Sequence, residues 1–471
     1  MSTEEENQTV FDVAAASMLT KELRDVFASG KTRSYEWRIS QLKSMIKMCE
    51  EHEEDIADAL HQDLSKPKLE SIVYEITMLK NSCALAIKEL KRWMMPEKAK
   101  TSLLTFPSSA EIVSEPLGAV LIISAWNYPF LLSLDPLVGA ISAGNTMVLK
   151  PSELSPATST LLAKLLPEYL DVSSIKVVEG AVSETSALLE QKWDKIFYTG
   201  NGRVGRIVMA AAAKHLTPVV LELGGKSPVV VDSGIDLQAC ISPDYIITTK
   251  DYADKLVDSL KKELETFYGE NPLESKDISR IVSSNHFSRL TKLLDDDKVS
   301  GKIVYGGERD EANLKIAPTI LLDVPRDSLI MKEEIFGPLL PILIVSKIED
   351  SWDVINSGTK PLAAYLFTNN KKLKEQFVMS VSAGGVTIND IAMHLAIHTL
   401  PFGGVGESGT GSYHGIFSFD AFSHKKAVLY RSFMGDAALR YPPYTLGKIR
   451  LMKALMTSNL WTILRALLGL S

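Results

Sequence analysis

The sequence of 471 residues has only three cysteines, no excess of positive charge and no long uninterrupted apolar run. Cys49, Cys83 and Cys240 are too few for the disulfide framework of a small secreted protein, so a reducing compartment is expected. The formal net charge of −7 offers no basic surface of the kind that binds nucleic acid. The first residues, MSTEEENQTVFDVAAAS, lack the basic-then-apolar order of a signal peptide. We therefore expect a cytoplasmic protein without a nucleic-acid partner.

The C-terminal stretch LMKALMTSNLWTILRALLGLS is apolar but contains Lys453, Ser458, Asn459 and Arg465. No uninterrupted run of about 20 apolar residues remains, so a transmembrane helix is not predicted. As a helix, the stretch would have a wide apolar face with basic residues at its margin. Two interpretations stay open: the face packs on the protein itself or on a twin subunit, or it attaches peripherally to a membrane.

The spacing of apolar residues changes twice along the chain. The first hundred residues carry apolar side chains at helical spacing, and a β-like, proline-punctuated stretch follows from Thr101. From Gly118 to Asp232, short apolar strands alternate with helical stretches, which predicts an α/β fold with a doubly wound parallel sheet covered on both faces. The rest of the chain again alternates strands and helices. A chain of this length is expected to form more than one domain.

Polar residues follow several predicted strands, where doubly wound sheets bind their ligands. Trp126 and Asn127 follow AVLIISA, and Lys150 and Glu153 follow TMVL. An ammonium and a carboxylate at a strand end can bind ribose hydroxyls, or they can form a surface ion pair. The string GNGRVG, residues 200–205, lies between a strand and an Ala-rich helix, where helix amides can hold a pyrophosphate. The alternative is that its glycines serve only a tight turn.

Glu222 has two functional interpretations. It follows the glycine string by about 20 residues, the distance of the ribose-binding acid in a dinucleotide fold. It can instead be a general base, because its neighbours Leu221 and Leu223 would desolvate the carboxylate and raise its pKa. We favour the base, since Lys150 and Glu153 can serve the ribose. His394 and His398 share a spacing of four, but no acidic or cysteine ligand accompanies them and no metal site is predicted.

Seven strings occur in a characteristic order: SAWNYPF, VLKPSE, FYTGNGRVG, LELGGKSP, QAC, EEIFGP and PFGGVGESG. Together they resemble the NAD(P)-dependent aldehyde dehydrogenase superfamily, and the chain is most similar to class 3 (family 3) plant members. The resemblance runs from about residue 15 to residue 445. It implies oxidation of aliphatic or aromatic aldehydes to carboxylic acids with NAD, or alternatively NADP, by a homodimer.

The resemblance also implies roles for individual residues. Cys240 matches the nucleophile, Asn127 the amide that stabilises the oxyanion, and Glu222 the base that activates water to hydrolyse the thioester. The cofactor-binding residues implied are Trp126; Lys150 and Glu153 at the adenosine ribose; Gly200 and Gly205 at the phosphates; and Glu334 and Phe336 at the nicotinamide end.

A division into domains follows from the same resemblance. It gives a dinucleotide-binding domain (1–100 and 117–238), a catalytic domain (239–412), bridging strands for oligomerisation (101–116 and 413–440) and an amphipathic tail (441–471).

The chain departs from the family pattern just before Cys240. Relatives carry a helix-length segment there, usually ending in Gly-Gln-x-Cys, but here only the seven residues 233–239 separate Asp232 from Cys240, and Leu237 stands where the glycine belongs. A crossover between parallel strands generally needs a dozen or more residues. We expect the sheet to lose apolar cover, and a catalytically impaired relative that keeps the fold is the alternative function.

Overall fold

The computed structural model describes residues 11–102, 105–233, 243–433, 438–457 and 460–468. Two compact units are present. One contains Met1–Lys88 and Leu117–Phe422, and the other contains Glu89–Pro116 and Ser423–Ser471.

Helices and strands are numbered in chain order. The helices are α1 (Val13–Ala28), α2 (Tyr35–Glu51), α3 (Glu53–Leu64), α4 (Lys68–Ser71), α5 (Met78–Trp93), α6 (Leu131–Ala143), α7 (Pro156–Tyr169), α8 (Val182–Leu189), α9 (Gly202–Ala213), α10 (Lys250–Tyr268), α11 (Ser284–Leu294), α12 (Leu329–Lys332), α13 (Asp350–Asn356), α14 (Lys371–Ser380), α15 (Gly415–Ala421), α16 (Leu446–Thr457) and α17 (Leu460–Leu467). The strands are β1 (Glu97–Ala99), β2 (Ser108–Pro116), β3 (Ala119–Ile123), β4 (Thr146–Lys150), β5 (Ile175–Val177), β6 (Lys195–Gly200), β7 (Val219–Leu223), β8 (Pro228–Val231), β9 (Tyr245–Thr249), β10 (Ile303–Tyr305), β11 (Arg309–Asp310), β12 (Lys315–Ile316), β13 (Thr319–Leu322), β14 (Leu339–Val345), β15 (Ala363–Phe367), β16 (Gly385–Ile388), β17 (Gly409–Thr410) and β18 (Ser423–Arg431).

Helices α1 and α2 are each preceded by a residue whose side chain accepts a hydrogen bond from an amide in the first turn of the helix. The Asp12 side chain accepts from the Ala15 amide before α1, and the Ser34 side chain accepts from the Trp37 amide before α2. A π-helical turn, Ile72–Thr77, joins α4 to α5 and carries the fully buried Glu75.

The first sheet has six strands in the order β17-β7-β6-β3-β4-β5, all parallel except β17. Ala119, Leu121 and Ile123 of β3 pack with side chains of α1, α8 and α9 in one apolar cluster. The intervening Val120 and Ile122 are also fully buried, and α6 contacts the same strand. The continuous apolar strands are therefore covered on both faces, which confirms the predicted doubly wound α/β fold.

The second sheet has seven strands in the order β10-β13-β14-β9-β8-β15-β16. Strand β8 lies within the stretch SPVVVD. The alternation of strands and helices in the sequence had predicted that this stretch belongs to the first sheet. That assignment was wrong, because residues 224–227 carry the chain from β7 into the other sheet without an intervening helix. An apolar strand has the same pattern in either sheet, so its sequence alone does not indicate which sheet it joins.

Strands β8 and β9 are parallel neighbours although only residues 232–244 separate them. Val229, Val230 and Val231 are fully buried, as are Ile246 and Ile247. The side chains of β8 and β9 enter two different apolar clusters, one with α11, α13 and α14 and the other with α10. The expected loss of apolar cover is thus not seen on these two strands.

In the other unit, β1, β2 and β18 form an antiparallel sheet. Strand β18 pairs with β2 from Ser423 opposite Pro116 to Arg431 opposite Ser108. The bridging strands were expected over 101–116 and 413–440, but Gly415–Ala421 is helical and lies in the first unit. The tail contains α16 and α17, and no helix within the described ranges is long and apolar enough to cross a membrane.

Candidate active site

The predicted strand-end residues meet at one edge of the six-stranded sheet. The register aligns Ile123 with Lys150 on one side and with Tyr198 on the other, and it aligns Thr199 with Glu222. Because these strands are parallel, the segments that follow them leave the sheet at the same edge. The structure therefore brings together the segments carrying Trp126, Asn127, Lys150, Glu153, Gly200 and Glu222.

Glu222 lies near the end of β7 and is only 4% exposed. Within the described part of the chain, neither carboxylate oxygen has a hydrogen-bond partner. Burial raises the pKa of Glu222 well above its ordinary value, because the charged form loses its hydration. A buried carboxylate without a partner is costly and points to a functional group.

Trp126 follows β3 of the first sheet, and Phe336 precedes β14 of the second sheet. Their side chains are in contact. Their ring centroids are 5.2 Å apart in an edge-to-face arrangement, and the His286 ring of α11 is 5.5 Å from Trp126. Phe336 has a φ of +49°, which is rare for a bulky side chain. Asn127, directly after Trp126, is half-buried. The predicted nicotinamide-end residue thus packs beside the predicted oxyanion segment.

Lys150 ends β4 with its ammonium group almost completely buried. The side chain is 2% exposed, and Nζ donates to the Pro151 carbonyl at 2.9 Å and to Glu153 Oε2 at 3.1 Å. The Glu153 carboxylate is half-exposed, with 44% of its side chain accessible. A ribose hydroxyl could bind this carboxylate from the solvent side. The pair is therefore more than a surface ion pair, since its cation is inside the protein.

Gly200 and Gly205 both have a packing reason for lacking a side chain. A Cβ atom at Gly200 would lie 2.2 Å from the Tyr198 hydroxyl, and one at Gly205 would lie 2.8 Å from Cδ2 of Leu223 on β7. Asn201 caps α9 by accepting from the Val204 amide at 3.0 Å. The glycines thus permit a tight turn and close packing of α9 on the sheet.

Glu334 lies over the glycine turn that follows β7. A Cβ atom at Gly224 would be 2.0 Å from Glu334 Oε2, and the Gly225 amide donates to the same carboxyl. Burial raises the pKa of Glu334 to about 7. Only a glycine at position 224 leaves room for this carboxyl.

The segment EEIFGP is held through its backbone by α11. Arg289 donates to the carbonyls of Glu334 and Ile335, at 3.2 and 2.5 Å, and to the Glu333 carboxylate at 3.1 Å. These contacts fix the backbone at Glu334 and Ile335 and hold the side chain of Glu333. Periodicity gave no signal for Arg289.

A second anchor for the same segment is the ion pair of Lys226 with Asp244. Lys226 Nζ also donates to the carbonyls of Ile330 and Glu333, both at 2.9 Å. Asp244 Oδ1 accepts from the Ile335 amide at 2.7 Å. Lys226 belongs to the string LELGGKSP, and no role was predicted for it from the sequence.

Cys240, the predicted nucleophile, lies outside the described residues, so its distance to Glu222 and Asn127 stays a prediction. The chain is described again from residue 243, and Asp244 is therefore the nearest anchored side chain after the cysteine.

His394 and His398 bind different partners. Nδ1 of His394 lies 2.9 Å from Thr387 Oγ1, and Nδ1 of His398 lies 3.2 Å from Ser82 Oγ. No group of three or more metal-binding side chains is found among the described residues.

Known proteins resemble this chain along almost its entire length. The profile of the aldehyde dehydrogenase family matches residues 7–428. Aldehyde dehydrogenase family 3 member H1 of Arabidopsis thaliana is 69% identical, with 98% of this chain and 99% of the relative covered. A solved structure, the substrate-bound state of Staphylococcus aureus AldH, is 40% identical with a TM-score of 0.89, covering 93% of this chain and 99% of the other. An aldehyde dehydrogenase of Mycobacterium tuberculosis, solved in complex with NAD+, is 25% identical with a TM-score of 0.80, covering 91% and 92%.

The fold and these matches define an NAD(P)-dependent oxidoreductase. The chain belongs to the aldehyde dehydrogenase family.

The alignment with the Arabidopsis relative also shows that this chain is shorter than the relative. It spans 479 positions, whereas 98% of 471 residues is about 462, so about 17 positions of the relative have no counterpart in this chain.

Proposed function

We propose that this protein oxidises aliphatic or aromatic aldehydes to carboxylic acids with NAD+, with NADP+ as an alternative cofactor. The observation that carries the proposal is Glu222, a buried carboxyl without a hydrogen-bond partner in the described structure, at the sheet edge where the cofactor segments meet. In the proposed reaction, aldehyde, NAD+ and water give carboxylic acid, NADH and a proton.

The chemistry begins at Cys240, whose thiolate attacks the aldehyde carbon to form a thiohemiacetal. The Asn127 amide and the Cys240 backbone N–H stabilise the negative oxygen of this adduct. Trp126, Glu334 and Phe336 would hold the nicotinamide end of NAD+, which would supply the hydride acceptor; loss of hydride from the adduct would leave a thioester on Cys240. Glu222 then removes a proton from a water molecule, and the resulting hydroxide attacks the thioester and releases the acid.

The burial of Glu222 suits this role. A carboxylate with an ordinary pKa is a weak base near neutral pH, and desolvation strengthens it. The absence of a partner among the described side chains leaves both oxygens available to a water molecule.

The cofactor is proposed to bind across the edge of the six-stranded sheet. The buried ammonium of Lys150 and the half-exposed carboxylate of Glu153 would hold the adenosine ribose, and the start of α9 would face the pyrophosphate. Glu334, Phe336 and Trp126 would surround the nicotinamide end. Glu153 would favour NAD+, because a 2′-phosphate would lie beside its negative charge.

The test is pre-steady-state NADH formation with a medium-chain aldehyde. We expect a burst in the parent protein, no burst in Cys240→Ala, and a burst without subsequent turnover in Glu222→Gln. Cys83→Ala is the matched thiol control, because Cys83 is fully buried away from the site in α5. A burst that survives in Cys240→Ala would overturn the assignment of the nucleophile.

A catalytically impaired relative is the second candidate. It is supported by the seven-residue connection before Cys240 together with the roughly 17 positions that have no counterpart here. A folded parent protein that binds NAD+ but makes no NADH would favour this function. In that case the loss of the segment before Cys240 would keep the Cys240 thiol away from the Glu222 carboxylate.

We also propose a homodimer that associates through the antiparallel sheet of β1, β2 and β18. The tail carries exposed apolar side chains, with Trp461 77% and Leu467 62% exposed, and we propose that they pack on the twin subunit. Analytical ultracentrifugation should give the dimer mass, and a chain ending at Arg440 should dissociate more readily. Co-sedimentation of the full chain with anionic vesicles would instead favour attachment of the tail to a membrane.

A further inference from the structure

A buried ion pair joins Lys66, in the loop between α3 and α4, to Glu75, in the π-helical turn, and both residues contact the turn that carries Asn127. Lys66 is 5% exposed and Glu75 is 0% exposed. Lys66 Nζ donates to Glu75 Oε1 and to the Asn127 carbonyl, the latter at 3.1 Å. Glu75 Oε2 accepts from the amides of Phe130 and Leu131, at 2.9 and 3.1 Å. The two charges therefore hold this turn at both ends.

The contacts of Glu75 satisfy groups that the turn cannot satisfy itself. The amides at the start of a helix have no intrahelical partner, and at α6 the cap residue is Phe130, which has no accepting side chain. Glu75 thus caps α6 from another element and places a negative charge at the helix N-terminus. The ring centroid of Tyr128 lies 4.0 Å from Lys66 Nζ, which adds a cation–π contact to the ammonium.

The backbone around Glu75 is itself unusual. Glu75 lies within the π-helical turn Ile72–Thr77, and such turns are rare and frequently occur at functional sites. The wider turn changes the direction of side chains relative to a continuous α-helix. This second observation, independent of the hydrogen bonds, indicates that the position of Glu75 is under a specific constraint.

We propose that Lys66 and Glu75 are positioning residues for the side-chain amide of Asn127. This inference rests on the proposed function, in which that amide stabilises the oxyanion. Replacing a buried ion pair by apolar side chains is often neutral or stabilising, so stability alone is a weak reason for the pair. Fixing the Asn127 carbonyl fixes its peptide plane and the origin of its side chain, and a shift of about 1 Å at an active site can cost about a hundredfold in rate.

The first test compares Lys66→Met, Glu75→Gln and Lys66→Arg in single-turnover hydride transfer. We expect the rate constant to fall roughly 10- to 100-fold in the first two variants, while NAD+ affinity stays unchanged. Lys66→Arg keeps a charged donor and should recover most of the rate. The matched control is Lys68→Met, because Lys68 pairs with Glu54 on the surface nearby and should leave the rate unchanged.

A double-mutant cycle separates positioning from a general structural effect. Asn127→Ala alone should slow hydride transfer roughly 100- to 1000-fold. If Lys66 acts through Asn127, adding Lys66→Met to Asn127→Ala causes little further loss. Full additivity of the two effects would overturn the proposal. The active-site concentration is taken from the burst amplitude, so a smaller folded fraction does not count as a slower rate.

Amide hydrogen exchange tests the same inference without turnover. Exchange at Phe130 and Leu131 should be faster in Glu75→Gln and Lys66→Met than in the parent, whereas α9 should be unaffected. Unchanged exchange at Phe130 and Leu131 would contradict the proposal that Lys66 and Glu75 hold the turn in place. If the parent makes no NADH, the proposed function fails, and this measurement still decides whether the pair positions the turn. Should a single variant not fold, the neutral double variant Lys66→Met/Glu75→Gln takes its place.

Discussion

Asp244 lies at the junction of three segments: it pairs with Lys226, its Oδ1 accepts from the Ile335 amide at 2.7 Å, and it follows Cys240 by four positions. The side chain thus ties the end of the nucleophile segment to the loop that carries Glu334. Lys226 also donates to the backbone carbonyl of Glu333 in this loop and to that of Ile330 in α12. This largely buried pair therefore anchors the chain that follows the described gap to the loop that carries Glu334.

Asp244→Asn should destabilise the protein by about 3 kcal/mol, because it leaves the Lys226 ammonium largely buried without a carboxylate. Urea unfolding measures this change. Asp327→Asn is the control, since Asp327 pairs with Lys298 on the surface and its loss should change little. Equal stability of the Asp244 variant and the parent would show that the pair is not needed to hold the loop.

Gly224→Ala should reduce activity with little loss of stability. The new methyl group would lie 2.0 Å from Glu334 Oε2, the mobile end of a side chain, so Glu334 must rotate away while the backbone stays in place. We expect kcat to fall roughly tenfold or more, because Glu334 then no longer meets the nicotinamide end. Steady-state kinetics and thermal unfolding measure the two effects.

Gly301→Ala is the control for this substitution. A Cβ atom at Gly301 has no neighbour within 4 Å, so both activity and stability should match the parent. An unchanged kcat in Gly224→Ala would remove Glu334 from the proposed cofactor site.

The strands of the first sheet and the residues after them could be predicted from the sequence, because uninterrupted apolar runs and chain order determine both. The roles of Glu334 and Phe336 came only from the resemblance. The sequence gives no sign that Lys66 pairs with Glu75 or that Lys226 pairs with Asp244. Only the folded chain shows that the first pair is buried and the second largely so. The sheet to which β8 belongs was missed because an apolar strand does not specify its neighbours.

Glu222→Gln should stabilise the protein, and more so as the pH rises. The folded-state pKa of Glu222 is raised, so the folded protein holds the proton over a pH range in which the unfolded chain has lost it. The free-energy cost of burying the Glu222 carboxylate is absent below the pKa that Glu222 has in the unfolded chain. The cost grows as the pH rises from there to the pKa of Glu222 in the folded protein. We expect a gain of about 1–3 kcal/mol at pH 8 and none at pH 4.

Urea unfolding of Glu222→Gln and the parent at several pH values measures this difference. Glu349→Gln, at an exposed cap of α13, should show no such trend. The rate of thioester hydrolysis in the parent should rise with pH in the same range, since only the ionised carboxyl accepts a proton from water. A rate that is independent of pH would argue against Glu222 as the base.

Glu153→Gln should improve the use of NADP+. The substitution removes the negative charge that a 2′-phosphate would meet beside the ribose. We expect the ratio of kcat/KM for NADP+ to that for NAD+ to rise roughly tenfold, equivalent to about 1.4 kcal/mol. Glu190→Gln, which removes a surface partner of Lys214, should leave the ratio unchanged. An unchanged ratio in Glu153→Gln would place the ribose elsewhere.

Restoring the segment before Cys240 should raise the hydride-transfer rate. We would insert a helix-length segment of about 17 residues, the length difference from the family 3 relative, ending in glycine between Asp236 and Gln238 in place of Leu237. The insertion would return a glycine to the turn before the thiol and give the crossover between β8 and β9 a helix-length connection. Since β8 and β9 are already buried on both faces, the gain should appear in the rate constant more than in thermal stability. Single-turnover kinetics of the lengthened and natural chains measures it, with a Gly/Ser insertion of equal length as the control. Equal rates in the natural and lengthened chains would mean that seven residues suffice to bring Cys240 to its base.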